Sequence, residues 1–285
     1  MQHNDYILTL SCPDTTGIVY HVTGYLFERG CNVLDSQQFG DDSTGLFFLR
    51  VHFDAPADTQ TLEQLCVQFT PIAEKFQMRW NIHDGKSRAR LLLLVSKQGH
   101  CLNDLLFRWH SGQLAVEIPA IISNHQDFAP LAASYGIPFH YLPITADNKA
   151  QQENQILQIV EREQIDLVVL ARYMQILSPA LCESLRGRAI NIHHSFLPSF
   201  KGAKPYYQAH ERGVKLIGAT AHYITPDLDE GPIIEQDVAR VEHSMNPDLL
   251  TAAGRDVESQ VLARAVRWHV ENRILLNGHK TVVFK

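Results

Sequence analysis

Five consecutive apolar residues, Leu91-Leu92-Leu93-Leu94-Val95, place the strongest constraint on how this chain folds. The run is far too short to cross a bilayer, which needs about 20 residues in a helix. It has no polar face, so as a strand it must be covered on both sides. Strands buried on both faces are typical of parallel sheets flanked by helices. The run therefore predicts a strand of such a sheet.

Strands and helices alternate after this run, which favours a mostly parallel, Rossmann-like α/β sheet. Further strands are predicted at residues 118–122, 166–170 and 189–192, helices near 101–111, 127–135, 150–163 and 178–185, a strand pair at 216–225 and 233–241, a last helix from Pro247 to about residue 273, and a short terminal strand at 281–284. Ligands of such sheets bind at the carboxyl ends of the strands. We therefore expect a site beside the end of the strand at 189–192.

The first 84 residues follow a different pattern, the βαββαβ order of a ferredoxin-like domain. Strands are predicted at residues 6–10, 32–39, 46–53 and 78–82, with helices at 18–28 and 59–75. Either Asp14 or Thr16 is expected to cap the first helix. Residues 85–88 are polar and read as a linker. The predicted domains are therefore residues 1–84 and 89–285.

Charge and cysteine content argue against a nucleic-acid-binding protein and against a disulfide-bonded secreted protein. A formal net charge of −6 argues against a nucleic-acid partner held through phosphate contacts. The five cysteines are odd in number, widely spaced and lack a CxxC pair, which favours free thiols in a reducing cytosol. The first residues lack the pattern of a signal peptide. We expect a cytoplasmic protein without membrane or nucleic-acid partners.

Two segments carry the chemistry. In Asn191-Ile192-His193-His194 the alternation of a strand places the Asn191 and His193 side chains on one face and that of His194 on the other. In a second segment Asp229 lies on a loop stiffened by Pro226 and Pro232. An amide, an imidazole and a carboxylate are the groups that add a nucleophile to a carbonyl. Asn191, His193 and Asp229 are the predicted catalytic residues.

The roles of three of these side chains stay open at this point. His193 would stabilise the developing charge or shuttle a proton. Asp229 would either orient a water molecule and set the imidazole's protonation, or act as a base if burial raised its pKa. His194 is predicted either to orient the catalytic side chains without touching the substrate or to be specific to a subtype of the enzyme. Because it is expected to face away from His193, the pair makes a poor metal chelate.

At residues 191–198 and 222–232 the chain resembles the folate-dependent formyltransferase family, as it does at 122–124 and 166–179. The resemblance covers roughly residues 88–285. It implies that Met174, Gln175, Ile176, Leu177 and Leu228 line a folate pocket. It offers Arg172, Lys201 or Lys204 as partners of the anionic glutamate tail without selecting one. No metal or redox cofactor is implied, because the folate is the substrate.

Three features resemble the deformylase branch, which hydrolyses 10-formyltetrahydrofolate to formate and tetrahydrofolate. The first half resembles an ACT domain, His194 stands where transferases commonly have proline, and residues 218–222 and 254–258 match deformylase segments. The turn at residues 96–101 departs from the glycine-rich turn that holds the acceptor's phosphate in glycinamide ribonucleotide transferases. Two alternatives remain: a formyltransferase to a small amine, and a non-catalytic folate or amino-acid sensor.

The ACT resemblance also implies an effector site and an oligomer. Asp14, Thr16 and Gly17 open a helix whose N–H groups could hold an amino acid's carboxylate, with Asn32 as partner across a dimer interface. Methionine and glycine are the implied effectors, and the alternative is a plain capped turn. The enzyme would supply formate for one-carbon and purine metabolism.

Overall fold

The computed structural model describes residues 3–56, 61–197 and 205–285. In chain order the elements are β1 (His3–Pro13), α1 (Ile18–Glu28), β2 (Asn32–Asp41), β3 (Leu46–Pro56), α2 (Leu62–Lys75), β4 (Arg79–Asp84), β5 (Ala89–Val95), α3 (His100–His110), β6 (Val116–Ser123), α4 (Ala129–Ser134), β7 (Phe139–Tyr141), α5 (Lys149–Arg162), β8 (Leu167–Leu170), α6 (Pro179–Ser184), β9 (Ala189–His193), α7 (Pro205–Glu211), β10 (Leu216–Tyr223), β11 (Ile233–Arg240), α8 (Pro247–Val270), β12 (Ile274–Asn277) and β13 (Lys280–Val283). They form two compact units. One comprises Met1–Ser87 with Glu271–Lys285, and the other Arg88–Val270.

The first unit is built on an antiparallel sheet of order β2-β3-β1-β4. Alternate residues of β1, such as Leu8 and Leu10, are buried with Val22 of α1 and Phe69 of α2 in one core. This is the predicted βαββαβ fold. The helix α2 begins at a capping box, in which Thr61 and Gln64 exchange side-chain and backbone hydrogen bonds.

The predicted cap of α1 was wrong. The residue at the N-cap is Gly17, in the left-handed region at φ 95°, and no side chain caps the helix. Glycine adopts this conformation without steric cost. Asp14 and Thr16 precede the turn and their side chains are exposed.

The last fifteen residues belong with the first unit, which differs from the expected boundary of 89–285. β12 and β13 form an antiparallel hairpin, and its residues Leu275 and Phe284 pack against Phe48 of β3. Arg50, only 3% exposed, donates hydrogen bonds to the carbonyl oxygens of Glu271 and Asn272 at 3.1 and 3.2 Å. These contacts join parts of the chain more than 200 residues apart, so local sequence pattern does not predict them.

The second unit holds a seven-stranded sheet of order β11-β10-β9-β8-β5-β6-β7. The five strands from β9 to β7 are parallel, and β10 and β11 add an antiparallel edge. All five residues of the Leu91–Val95 run are fully buried, which confirms the prediction of a strand covered on both faces. The chain leaves β5 toward β6 and β7, then returns on the other side to β8 and β9. This reversal opens a crevice at the carboxyl ends of β5, β8 and β9.

None of the helices in the described ranges combines the length and the apolar character that a bilayer-spanning segment needs.

Candidate active site

The end of β9 and the facing part of β10 position two polar side chains side by side. The antiparallel register sets Asn191 opposite His222, and the Asn191 Nδ2 atom lies 3.3 Å from the His222 Nε2 atom. His193, the last residue of β9, is 8% exposed and shares the face of Asn191, as the alternation of a strand predicts.

Asp229 reaches this pair from the loop between β10 and β11. Its backbone is left-handed at φ 59°, a conformation that few non-glycine residues adopt. Two residues later, a side chain at Gly231 would overlap the carbonyl oxygen of Tyr223, so only glycine lets the loop close on β10. The Tyr223 amide donates to the Pro232 carbonyl at 3.0 Å and fastens the loop. The Asp229 Oδ1 atom then lies 3.3 Å from the His193 Nδ1 atom.

The electrostatics of Asp229 favour an orienting role over that of a base. Burial alone would raise the pKa of the carboxyl group. The hydrogen bond from His193, together with the histidine rings around the carboxylate, outweighs burial, so the pKa lies below its ordinary value. A carboxylate that holds its charge so firmly is a weak proton acceptor. It accepts from the Nδ1 atom of His193, which leaves the Nε2 lone pair of that ring directed away from Asp229.

His222 is a site residue that the sequence did not reveal. It is 2% exposed, and burial lowers its pKa, so the ring is neutral. Its Nδ1 atom donates to the Tyr223 carbonyl oxygen at 2.9 Å, so its Nε2 atom carries a lone pair. This lone pair accepts from the amide of Asn191, which fixes which end of that amide faces the cavity. His222 opens the segment at 222–232 that carries the family resemblance, but its place beside Asn191 follows from the register between β9 and β10.

The predicted direction of His194 was wrong. Its ring stacks on that of His193, with centroids 4.7 Å apart and planes inclined by 25°. β9 ends at His193, so the alternation of a strand no longer applies to the next residue. Both rings therefore border the same cavity.

A cavity of about 300 Å³ opens in front of these side chains. Its described lining includes all five residues predicted to contact folate: Met174, Gln175, Ile176, Leu177 and Leu228. Three of them are large apolar side chains that remain 56%, 65% and 60% exposed: Met174, Ile176 and Leu228. An apolar mouth leading to a few converging polar groups suits a flat ring system that carries a reactive substituent.

Arg172 is not available to an anionic tail. It is 7% exposed, and its guanidinium group already contacts Gln98, His194 and Glu258. Its place in this buried cluster removes it from the candidate partners of the glutamate tail. The other two candidates, Lys201 and Lys204, lie outside the described residues.

The residues predicted for an effector lie in the first unit. The Asp14 amide donates to the Gly45 carbonyl at 2.9 Å, and its carboxylate lies beside Gly40 of β2, the strand that begins at Asn32. Because Gly17 caps α1 without a side chain, the N-cap residue supplies no side-chain oxygen to the first N–H groups of that helix.

Fold and site together define a protein of the formyl transferase class with an added N-terminal domain. The family model described as formyl transferase matches residues 89–266, and that of the ACT domain matches residues 6–69. The chain belongs to the formyl transferase family, and three relatives that match 97–100% of it are formyltetrahydrofolate deformylases. The resemblance that the motifs indicated is confirmed.

Three comparisons separate the branches of this family. A formyltetrahydrofolate deformylase of Synechocystis sp. is 50% identical over 284 residues, which cover 100% of both chains. The crystal structure of a formyltetrahydrofolate deformylase from Burkholderia mallei matches with a TM-score of 0.95 and 57% identity, covering 99% of this chain and 100% of its own. The glycinamide ribonucleotide transformylase of Symbiobacterium toebii matches with a TM-score of 0.65 and 26% identity, covering 70% of this chain and 95% of its own. The deformylases thus match both units of this chain.

Proposed function

We propose that the protein hydrolyses 10-formyltetrahydrofolate to formate and tetrahydrofolate. The observation that carries this proposal is the meeting of Asn191, His193 and Asp229 in a cavity with an apolar mouth. The full-length match to deformylases supports the choice of substrate.

The geometry supports one sequence of proton transfers. The His193 Nε2 atom takes a proton from water as the water oxygen attacks the formyl carbon. The carbonyl oxygen becomes an oxyanion that accepts from the second N–H of Asn191, since the first is held by His222. The C–N10 bond then breaks, and His193 returns the proton to N10. The second water proton leaves as formic acid ionises in neutral solvent.

This reaction is redox-neutral, and the three side chains supply the oxyanion donor, the proton carrier and its anion. We therefore propose that it proceeds without a metal or redox cofactor.

The turn after β5 argues against an amine acceptor. Gln98 accepts two hydrogen bonds from Arg172, at 2.8 and 3.1 Å, and His100 contacts Glu258 at 2.7 Å. These side chains are engaged with one another and are not directed at a phosphate group. Water is therefore the nucleophile that the site favours.

The ACT unit supports a regulatory role. We propose that it binds small amino acids such as methionine or glycine at the uncapped start of α1, and that the exposed edge strand β2 pairs with a second copy. Five free thiols favour a cytoplasmic enzyme that supplies formate for purine synthesis.

The decisive test is formate release from 10-formyltetrahydrofolate without any amine. We expect the wild type to release formate, and Asp229→Asn to lower kcat by on the order of 10²–10⁴-fold while folate binding is retained. Asp227→Asn, on the same loop but exposed, is the matched control and should retain activity. A wild type that stays inactive until an amine is added is a transferase, and one that binds folate without ever turning it over is a sensor.

A further inference from the structure

A buried polar cluster lies directly behind the proposed catalytic residues. Its centre is Glu258 of α8, which is 1% exposed. The Glu258 carboxylate accepts from the Tyr206 hydroxyl at 2.6 Å, contacts the His100 Nε2 atom at 2.7 Å, and lies 3.4 Å from the Arg172 Nε atom. The Gln98 side-chain oxygen accepts from the Nε and Nη2 atoms of the same guanidinium group. Such a fully satisfied network fixes the position of each member.

The charges of the cluster balance around Arg172. Burial would raise the pKa of Glu258, but the interactions with His100, Arg172 and Tyr206 lower the pKa by more than burial raises it. The carboxylate therefore keeps its charge. Arg172 is also left-handed at φ 65°, and its carbonyl oxygen accepts from the Ser96 amide at 3.1 Å. A strained backbone held from several sides indicates that the direction of this guanidinium group matters.

Arg172 fixes the tautomer of His194. Its Nη1 atom lies 2.9 Å from the His194 Nδ1 atom. A guanidinium group has donors only, so Nδ1 must present a lone pair. Burial and the charge of Arg172 lower the pKa of His194 to about 4, so the ring is neutral at neutral pH. The single ring proton therefore lies on Nε2.

This Nε2–H group has no partner among the described residues although its atom is buried. Buried donors without partners are uncommon in folded proteins and call for an explanation. The ring stacks on His193 and borders the cavity that Asn191 also lines. A bound substrate would lie within that cavity, which the His194 ring borders.

We propose that His194 is a further catalytic residue, whose Nε2–H group donates to the formyl oxygen as it becomes an oxyanion, alongside the amide of Asn191. The inference rests on the proposed hydrolysis. It adds no proton transfer to that reaction: the C–O bond to water forms, the C–N10 bond breaks, and His194 stays neutral throughout. Arg172 and Glu258 are positioning residues that hold the N–H in place.

Two substitutions separate the proposed donor, the His194 Nε2–H group, from the contact between the His194 Nδ1 atom and Arg172. His194→Asn places an amide oxygen near the Nδ1 position, where it can accept from Arg172, but offers no donor at Nε2. His194→Gln extends its amide N–H to about the Nε2 position. His140→Asn is the matched control, because burial also lowers the pKa of His140 and its strand β7 is not among the described lining of the cavity.

We expect His194→Asn to lower kcat by about 10²–10³-fold, the usual loss for one oxyanion donor, with KM changed less than threefold. His194→Gln should retain kcat to within tenfold of the wild type, and His140→Asn should match the wild type. Equal losses in the two His194 variants, or a raised KM with unchanged kcat, would overturn the role. If the wild type releases no formate, the proposed hydrolysis fails first, which is a distinct result.

A measurement on the wild type does not depend on whether a variant folds. Long-range ¹H–¹⁵N spectra of protein labelled at histidine distinguish a protonated from an unprotonated ring nitrogen. We expect the signal that disappears in His194→Gln to show a protonated Nε2 and an unprotonated Nδ1. The opposite tautomer would contradict the proposal.

Discussion

Gly254 of α8 makes the buried cluster around Glu258 sterically possible. A methyl group at this position would overlap the phenol ring and hydroxyl of Tyr206, which is 8% exposed and donates to Glu258 at 2.6 Å. Gly254→Ala therefore forces the ring to move away from the carboxylate. In an exposed helix the same substitution would stabilise the fold by about 1 kcal/mol.

The magnitude follows from three contributions. Overpacking in a filled core costs about 1–3 kcal/mol. Losing a hydrogen bond to a charged group costs about 1.5–3 kcal/mol. Subtracting the gain of about 1 kcal/mol in helix propensity leaves a destabilisation of about 3 kcal/mol for Gly254→Ala.

A double-mutant cycle with Tyr206→Leu tests the cause of this loss. Leucine is shorter than tyrosine, so the overlap with a methyl group at position 254 disappears. In that background Gly254→Ala should be neutral or stabilising by up to about 1 kcal/mol, measured by urea unfolding. A stabilising effect of Gly254→Ala in the wild type, or equal losses in both backgrounds, would refute the steric reasoning.

Three further predictions concern stability, anchoring and loop closure. The His194 ring binds a proton near pH 6.5 in the unfolded state but only near pH 4 in the folded state. As the pH falls across this interval, the wild type should therefore lose about 3 kcal/mol more of its free energy of unfolding than His194→Asn loses. Equal slopes of unfolding free energy against pH in the two proteins would contradict this. Arg50→Met leaves the carbonyl oxygens it binds unsatisfied, and should cost about 3 kcal/mol and expose residues 271–285 to limited proteolysis, whereas unchanged cleavage would refute the anchoring role. Gly231→Ala should displace the Asp229 loop and lower kcat by about 10²-fold or more with little change in melting temperature; activity within threefold of the wild type would argue against it.

The local sequence pattern was sufficient to predict most strands of the seven-stranded sheet. The Leu91–Val95 run and the later apolar segments became β5, β6, β8 and β9 because strands covered on both faces require unbroken apolar sequence. The short elements β7 and α7 were missed. β7 has three residues, too few for a period to show, and α7 is held by packing of Tyr206 against the start of α8.

The C-terminal segment could not be assigned from pattern. Arg50 and Phe48 of β3 hold this segment, and both lie more than 200 residues before it in the sequence. The local pattern therefore does not show where the hairpin packs. The predicted terminal strand at 281–284 corresponds to β13, but its partner β12 and its place in the first unit depend on tertiary contacts.

One signal for the buried cluster was present in the sequence and was not used. Residues 250, 254, 258 and 262 recur at helical spacing, and all four lie on the buried face of α8. A glutamate on such an apolar face requires buried partners, because an unpaired charge is costly there. The sequence could thus have predicted a buried network at Glu258, although not the identity of Arg172 and Tyr206 as its partners.

Three histidines at this site show why residue identity alone could not assign roles. In each ring the Nδ1 atom is already committed: to a carbonyl oxygen in His222, to Asp229 in His193, and to Arg172 in His194. A carbonyl or carboxylate partner requires a proton on Nδ1 and leaves a lone pair on Nε2, whereas the guanidinium partner requires the reverse. One cavity thereby receives a proton acceptor from His193 and a hydrogen-bond donor from His194, two complementary groups from adjacent identical side chains. The division of roles depends on what lies behind each ring, which is set by elements distant in sequence.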